Sequence, residues 1–204
     1  MGLSIHYSGT IKDYLLADEL IIEVKDICKS MEWEYTIFTP KNHANDTAHL
    51  KDPAFINYKI EDLKGISFSP KDSEPVSLTF FPSGRLCSFI KLLYNNPETN
   101  DLMVEVVSTK TQFAGMDAHM AIINLLQYLK DKYFSVFELS DEGNYWETKD
   151  KTILAENFSR YNFLMDTVAK ALSNFTTVAG ESATSLADRL EEFLKNKLRI
   201  DKKE

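Results

Sequence analysis

The chain has 204 residues, 44% of them hydrophobic and 12% aromatic, which is enough for a buried core in one domain with an appendage or in two small domains. Its formal net charge is −8. Residues 151–204 hold 9 Lys/Arg and 8 Asp/Glu, so residues 1–150 hold the other 14 and 23, a net charge of −9. A surface of that sign repels nucleic acid and anionic membranes and favours a basic protein as the partner.

The sequence carries neither a secretory signal pattern nor an apolar run of the roughly 20 residues that span a bilayer. Its two cysteines, Cys28 and Cys87, are too few for a disulfide framework or a four-cysteine zinc site. We therefore predict two buried free thiols in a cytoplasmic protein.

The first elements alternate between strand and helix. Residues 3–8 alternate apolar and polar side chains, which predicts a half-buried strand whose odd-numbered side chains face inward. Apolar residues at helical spacing predict an amphipathic helix over 14–31, and a second strand is predicted over 34–39. A polar connection of about two dozen residues follows, which is long for a compact domain.

That connection places a possible metal ligand at every third position: His43, Asp46, His49 and Asp52. On an α-helix each step of three residues falls about 60° short of a full turn, so the four side chains do not share a face. The surrounding residues are polar and provide no apolar cluster that would orient the ligands. We predict a surface loop with no metal and no cofactor, and we keep the metal site as the alternative.

The middle of the chain predicts a hairpin, a strand, a helix and a strand. Residues 76–90 form the hairpin, because Pro82 suits a type I turn and Gly84 can take the left-handed conformation that follows it. A further strand is predicted over 102–113. The second helix begins near Asp117, and a last strand covers 134–139.

Two amphipathic helices end the sequence, over 152–174 and 186–198, with Gly180 as a breaker between them. We predict that the Phe158, Tyr161 and Met165 face of the first helix is buried within the protomer. The 186–198 helix lies beyond a flexible link and is the candidate for contact between subunits in a possible homo-oligomer.

These elements predict an α+β fold with a mixed, mainly antiparallel sheet that carries two helices on one face, plus the two C-terminal amphipathic helices. Residues 1–150 form the sheet domain in this prediction. Residues 151–204 form a helical segment that packs on that domain or on a second subunit.

Common catalytic signatures are missing from the sequence: it contains no GxGxxG, P-loop, GxSxG or HExxH motif. His119 lies in the first turn of the second predicted helix, where a helix N-terminus lowers the pKa of a histidine and favours a neutral general base. A capped, structurally bonded histidine is the alternative interpretation.

The segment 141–150 combines aromatic residues with four carboxylates directly after a strand. Aromatic and acidic side chains together suit the Lys or Arg side chains of a partner. We therefore predict a non-catalytic binding or regulatory protein that contacts a basic partner through Asp141, Glu142, Tyr145, Trp146 and Glu147.

The alternative function is a small hydrolase that uses Asp141, Glu142 and Glu147, with His119 or a metal, because a carboxyl group against an indole can act as a general acid. A third possibility is a scaffold whose only interaction is with itself. Burial distinguishes the first two, since catalytic carboxylates line a concave pocket and an interface is flatter and rimmed by aromatic residues.

Overall fold

A computed structural model of the chain describes residues 3–40, 60–94, 102–173, 175–176, 180 and 182–200. In this part of the chain the strands are β1 (Ser4–Ile11), β2 (Glu34–Phe38), β3 (Lys64–Ser69), β4 (Val76–Phe80), β5 (Leu86–Cys87), β6 (Val107–Lys110) and β7 (Phe134–Asp141). The helices are α1 (Leu16–Ser30), α2 (Phe89–Tyr94), α3 (Gly115–Tyr133), α4 (Tyr145–Thr148), α5 (Lys151–Ser173) and α6 (Ala183–Ile200). The fold is α+β, as predicted.

The strands form two sheets, which corrects the prediction of one mixed sheet. One sheet has the order β6-β1-β7 and the other β2-β3-β4-β5, and every strand pair in the described part of the chain is antiparallel. The sheets meet where Thr10 bridges Arg85 and the Ile11 N–H donates to the Gly84 carbonyl at 2.9 Å. The predicted β-α-β start is therefore not a parallel crossover, because β1 and β2 belong to different sheets.

The alternation in β1 gives the predicted inner and outer faces. Leu3, Ile5 and Tyr7 are buried, whereas Ser4 and His6 are half-buried on the other face. The Tyr7 hydroxyl donates to the Ser77 carbonyl at 3.0 Å and accepts from its N–H, which connects the inner face of β1 to β4. Burial raises the pKa of Tyr7 above its ordinary range.

The two long helices of the sheet region pack on different sheets. α1 contacts β2 and β3, α3 contacts β7, and the two helices also contact each other. Both present an apolar stripe at helical spacing to the core, for example Leu20 and Val24 on α1 and Ile122 and Leu126 on α3. The helices are thus neighbours, and the prediction that both cover one face of a single sheet is replaced by one helix on each sheet.

The hairpin turn has the predicted form. Gly84 has φ of +81°, and the Phe81 N–H donates to the Arg85 carbonyl at 3.0 Å. Beyond β5, however, residues 89–94 form helix α2 instead of continuing the strand. The strand predicted over 102–113 is shorter than expected, because residues 102–105 form a 3₁₀ turn and only Val107–Lys110 pairs with β1.

Two compact units are present, Met1–Ala155 and Glu156–Glu204. Helix α5 begins in the first unit, where Leu154 is fully buried, and continues into the second, where Phe158 is buried. Met165 is exposed, so the predicted burial of the face that contains Phe158, Tyr161 and Met165 holds only at its start. No helix in the described ranges is long and apolar enough to span a bilayer.

Candidate functional site

The structure brings together two predicted site residues that are distant in sequence, His119 and Asp141. His119 lies in the first turns of α3 and Asp141 ends β7, and the His119 Nε2 is 3.0 Å from the Asp141 Oδ1. Both side chains have 0% exposed surface. The pair belongs to the interior of the sheet unit.

The end of β7 folds around the Asp141 carboxylate. Its Oδ1 accepts from the Gly143 N–H at 2.7 Å, and its Oδ2 accepts from the N–H groups of Tyr145 at 2.7 Å and Trp146 at 3.0 Å. The carboxylate thereby satisfies donors at the start of the short helix α4, where backbone N–H groups lack acceptors within the helix itself. A Cβ at Gly143 would lie 2.9 Å from the His119 Nε2 and 2.7 Å from a Leu154 methyl group, so only glycine fits this close approach.

Thr111 completes the network on the other side of the imidazole. Its Oγ1 lies 2.7 Å from the His119 Nδ1, and its N–H donates to the Leu3 carbonyl at 2.9 Å. We did not predict Thr111 as a site residue. The sequence could have indicated that Thr111 is buried, because the alternation that buries Val107 and Thr109 on β6 also turns Thr111 inward.

Opposing effects set the pKa of Asp141. Burial acts to raise it, but the hydrogen bond and charge of His119 and the N–H groups of Trp146 and Gly143 outweigh burial, and the pKa is lowered. A buried carboxylate with this many donors stays ionised and holds its neighbours in place. Neither Asp141 nor His119 has surface that a substrate could touch in this conformation, so the pair positions α3, α4 and the end of β7.

The rest of segment 141–147 is divided between the interior and the surface. Tyr145 is buried, whereas Glu147 is exposed. Trp146 is half-buried against Phe137, with ring centroids 6.2 Å apart, and the ammonium groups of Lys130 and Lys149 lie 5.4 and 5.1 Å from its ring. The indole therefore already has two cationic neighbours within its own chain.

Glu142 lies on the outer face of the three-stranded sheet beside His6. Its Oε2 accepts from the Ser4 N–H at 2.8 Å, and its Oε1 is 3.9 Å from the His6 Nε2. The His6 Nδ1 is 2.8 Å from the Ser108 Oγ, its cross-strand neighbour. These contacts tie the edge of the sheet together on a partly exposed surface.

The predicted metal ligands His43, Asp46, His49 and Asp52 lie outside the described residues. Among the residues that are described, no three His, Cys, Asp or Glu side chains come together as a possible metal site. Cys28 and Cys87 are buried and unpaired, as predicted, and burial raises the pKa of their thiols to about 11 and about 12.

An acidic groove of about 890 Å³ lies between α1 and α3. We call it the α1–α3 groove. Its lining residues are Glu19, Ile22, Glu23, Asp26, Ile27, Ser30, Met31, Tyr128, Lys132 and Tyr133. The lining thus combines three carboxylates, exposed apolar side chains and two tyrosines on one open surface.

Glu23 lines the α1–α3 groove and joins its two helices. Its Oε1 accepts from the Tyr128 hydroxyl at 2.5 Å and its Oε2 from the Tyr133 hydroxyl at 2.5 Å, while the Lys132 ammonium lies 2.9 Å from Oε2. Partial burial acts to raise the pKa of Glu23, but the hydrogen bonds from Tyr128, Tyr133 and Lys132 lower it overall. The same contacts raise the pKa of Lys132.

Apolar side chains line the same groove and remain exposed. Ile22 is 61% exposed, and Met31 and Tyr128 are also exposed. Ile22 lies between the buried positions of α1, so its exposure follows from the periodicity of the helix. A cluster of exposed apolar residues rimmed by charge is typical of a protein-binding surface.

A second groove, of about 490 Å³, lies on β2 and β3 and is lined by Trp33, Tyr35, Phe38 and Phe89 among others. Glu34 is the single charged residue of its lining. Neither groove is lined by Asp141, Glu142, Glu147 or His119.

The sequence matches no protein-family model, and neither a curated protein nor a solved structure is detectably similar to it.

Proposed function

We propose that this chain is a non-catalytic binding protein whose α1–α3 groove receives a basic amphipathic helix of another protein. The observation that carries the proposal is the lining of the groove, where carboxylates surround exposed apolar side chains. The partner class is the one that the charge distribution of the sequence predicted. The surface that receives it is centred on α1 and α3 instead of on residues 141–147.

The shape of the groove suits a helix. Two packed neighbouring helices present a furrow between them, and a third helix can lay its apolar face there with anchors at i, i+3 or i+4, and i+7. Ile22 lies on α1 and Met31 directly follows its last residue, and both line the groove with exposed apolar surface. We expect the apolar anchors of the partner helix to contact these two side chains.

The charges of the groove suit basic side chains. Glu19 and Asp26 lie on the same side of α1 as Ile22, at spacings of three and four residues. Lys132, the one cationic side chain of the lining, lies 2.9 Å from Glu23 and is neutralised by it. Lys or Arg side chains flanking an apolar stripe would therefore meet a surface of opposite sign, which raises the association rate.

The catalytic alternative has no comparable support. A hydrolase that uses Asp141 and His119 needs both groups at the surface of a cavity, and both side chains are fully enclosed. The surface formed by Glu142, Trp146 and Glu147 is less suited to a basic partner, because the Trp146 ring already contacts the ammonium groups of Lys130 and Lys149.

A defined probe tests the proposal. An 18-residue synthetic helix with leucines on one face and lysines on the other should bind the intact chain in a fluorescence-anisotropy titration. Ile22→Asp should weaken that binding by about 10-fold or more, since it places a charge at the centre of the apolar anchor site. Val136→Asp is the matched control, because Val136 is similarly exposed but lies on β7.

Charge provides the second arm of the test. Glu19→Lys should slow association of the leucine–lysine helix, whereas Glu138→Lys on the outer side of β7 should change it little. A leucine–glutamate helix of the same length should not bind. Equal binding of the two probes, or no effect of Ile22→Asp, would contradict the proposal.

A further inference from the structure

Among the side chains of the C-terminal unit that the structure describes, the large apolar ones that are exposed lie on α5. Phe163 is 64% exposed, and Leu164, Met165 and Leu172 are exposed as well. On α6, by contrast, Leu186, Leu190 and Phe193 are half-buried. The difference matters because the sequence had suggested α6 for contact between subunits.

Contacts within the unit explain why Phe193 on α6 is half-buried. The Phe193 ring packs on Phe175 with centroids 5.4 Å apart. Arg189 lies over the same Phe175 ring at 5.0 Å and donates to the Thr176 carbonyl at 2.6 Å. Helix α6 therefore uses part of its apolar stripe against the segment that precedes it.

Phe163 is the centre of a charged stripe on α5. Arg160 and Asp166 lie three residues before and after it, and Glu156 and Lys170 lie seven residues before and after it. Positions three and seven residues apart share one face of an α-helix. All four charged residues are exposed, as is Phe163. The stripe thus reads acid, base, aromatic, acid, base along the helix.

We propose that this stripe is an interface between two copies of the chain, formed by two antiparallel α5 helices that cross at Phe163. A two-fold axis at Phe163 places each residue opposite the one at the same distance on the other side of Phe163. Arg160 then faces Asp166 of the second copy, about 4.5 Å along the helix from the crossing point. Glu156 faces Lys170 of the second copy in the same way.

The charge pattern favours a second copy of the chain, in antiparallel orientation, as the partner of the stripe. In the antiparallel arrangement all four ion pairs across the interface join opposite charges, whereas a parallel pair in register would place like charges together. The two Phe163 rings meet at the axis and provide the apolar contact. One aromatic anchor from each copy makes a small interface, so the dimer is weak and depends on protein concentration.

The same four residues could instead form ion pairs within each helix, since Glu156 and Arg160, and Asp166 and Lys170, are four residues apart. Mixing two charge-reversal variants separates these explanations. Arg160→Glu alone sets a new carboxylate against Asp166 of the second copy, and Asp166→Arg alone sets a new guanidinium against Arg160 of the second copy. A mixture of the two variants allows a heterodimer in which every contact between positions 160 and 166 is attractive, while the contacts within each helix stay as they are in the separate variants.

Sedimentation of the full chain over about 10 µM to about 1 mM is the measurement, because this range covers weak dimers. We expect the unmodified chain to dimerise. Each reversal alone and Phe163→Ser should weaken the dimer by about 10-fold or more, and the mixture should restore it. Lys151→Glu is the matched control, since Lys151 is an exposed charge that lies outside the stripe.

Several outcomes would overturn the proposal. They are a chain that remains monomeric throughout the concentration range, a mixture that associates no better than its components, and an association that Phe163→Ser leaves unchanged. An association that persists in the α5 variants but is lost in Leu190→Asp would place the interface on α6. Circular dichroism of each variant checks that the helices are retained.

Discussion

Two carboxylates in this protein, Asp141 and Glu23, have similar sets of donors and different surroundings. Asp141 accepts three backbone N–H groups and lies 3.0 Å from the His119 Nε2, and its side chain has no exposed surface. Glu23 accepts from two tyrosine hydroxyls and Lys132, and 27% of its side chain is exposed. In both cases the hydrogen bonds lower the pKa.

The two carboxylates differ in their hydrogen-bond donors, which are mainly backbone groups at Asp141 and side chains at Glu23. The donors to Asp141 are backbone N–H groups that converge on an enclosed carboxylate, so the carboxylate is required for that turn to fold. The donors to Glu23 are side chains at the edge of a groove, and water can replace the carboxylate if it is removed. Asp141 therefore contributes to the stability of the fold, and Glu23 contributes to the shape and charge of the binding surface that we propose.

Removal of the Asp141 carboxylate should have the largest effect. Asp141→Ala takes away the acceptor that three backbone N–H groups and His119 share, and we expect the free energy of unfolding to fall by about 3–5 kcal/mol. Urea denaturation followed by circular dichroism measures the loss. Glu147→Gln in the same segment is the control and should change stability by less than about 0.5 kcal/mol. A loss below about 1 kcal/mol for Asp141→Ala would show that the turn folds without its carboxylate.

Lowering the pH should also reduce the contribution of Asp141 to stability, because it removes the charge of the carboxylate without changing the residue. The pKa of Asp141 is lowered in the folded chain, while in the unfolded chain it has the ordinary value of about 3.9. Between these two values the unfolded chain binds more protons, so the contribution of Asp141 is complete above about pH 4 and is lost as pH falls through the folded pKa.

Asp141→Asn keeps the shape of the side chain but cannot titrate. The stability difference between the unmodified chain and this variant should therefore shrink as the pH is lowered from about 6 to about 3. Urea denaturation at several pH values measures the difference, and Glu147→Gln should follow the unmodified chain throughout. Curves that stay parallel for Asp141→Asn would mean that another group is responsible for the acid sensitivity.

Most of the individual elements could be predicted from the sequence because their signals are local. The alternation in residues 3–8 follows from a strand that packs one face, and Pro82 and Gly84 specify their turn through backbone conformation alone. Helix α1 begins and ends within two residues of its prediction, since its apolar stripe is continuous. Local chemistry is sufficient wherever one face of an element is buried.

The arrangement of the elements required information that the sequence does not display. The two sheets separate because β1 pairs with β6 and β7, which are about 100 residues or more away along the chain. The pairing of His119 with Asp141 depends on that arrangement, although both residues were named as candidates. The α1–α3 groove depends on it as well, because Ile22 and Tyr128 belong to different helices and neither is unusual by itself.

Glu23→Gln should have the smallest effect of the three variants on stability. It tests whether the fold depends less on Glu23 than on Asp141. Glutamine keeps an acceptor for the Tyr128 and Tyr133 hydroxyls but removes the charge that faces Lys132. Because Glu23 is 27% exposed, water can hydrate the separated groups, and we expect a loss of about 1 kcal/mol or less in the free energy of unfolding. Urea denaturation measures this loss beside Glu34→Gln, an exposed carboxylate on β2 that serves as the control.

The same variant should act on the groove more than on the fold. Lys132 loses its neutralising partner in Glu23→Gln, so the lining gains one positive charge, and the leucine–lysine helix should associate more slowly while its salt dependence weakens. Stability and binding are then separable at Glu23, as they are not at Asp141. A stability loss above about 2 kcal/mol in Glu23→Gln would place Glu23 with Asp141 as a residue that the fold requires.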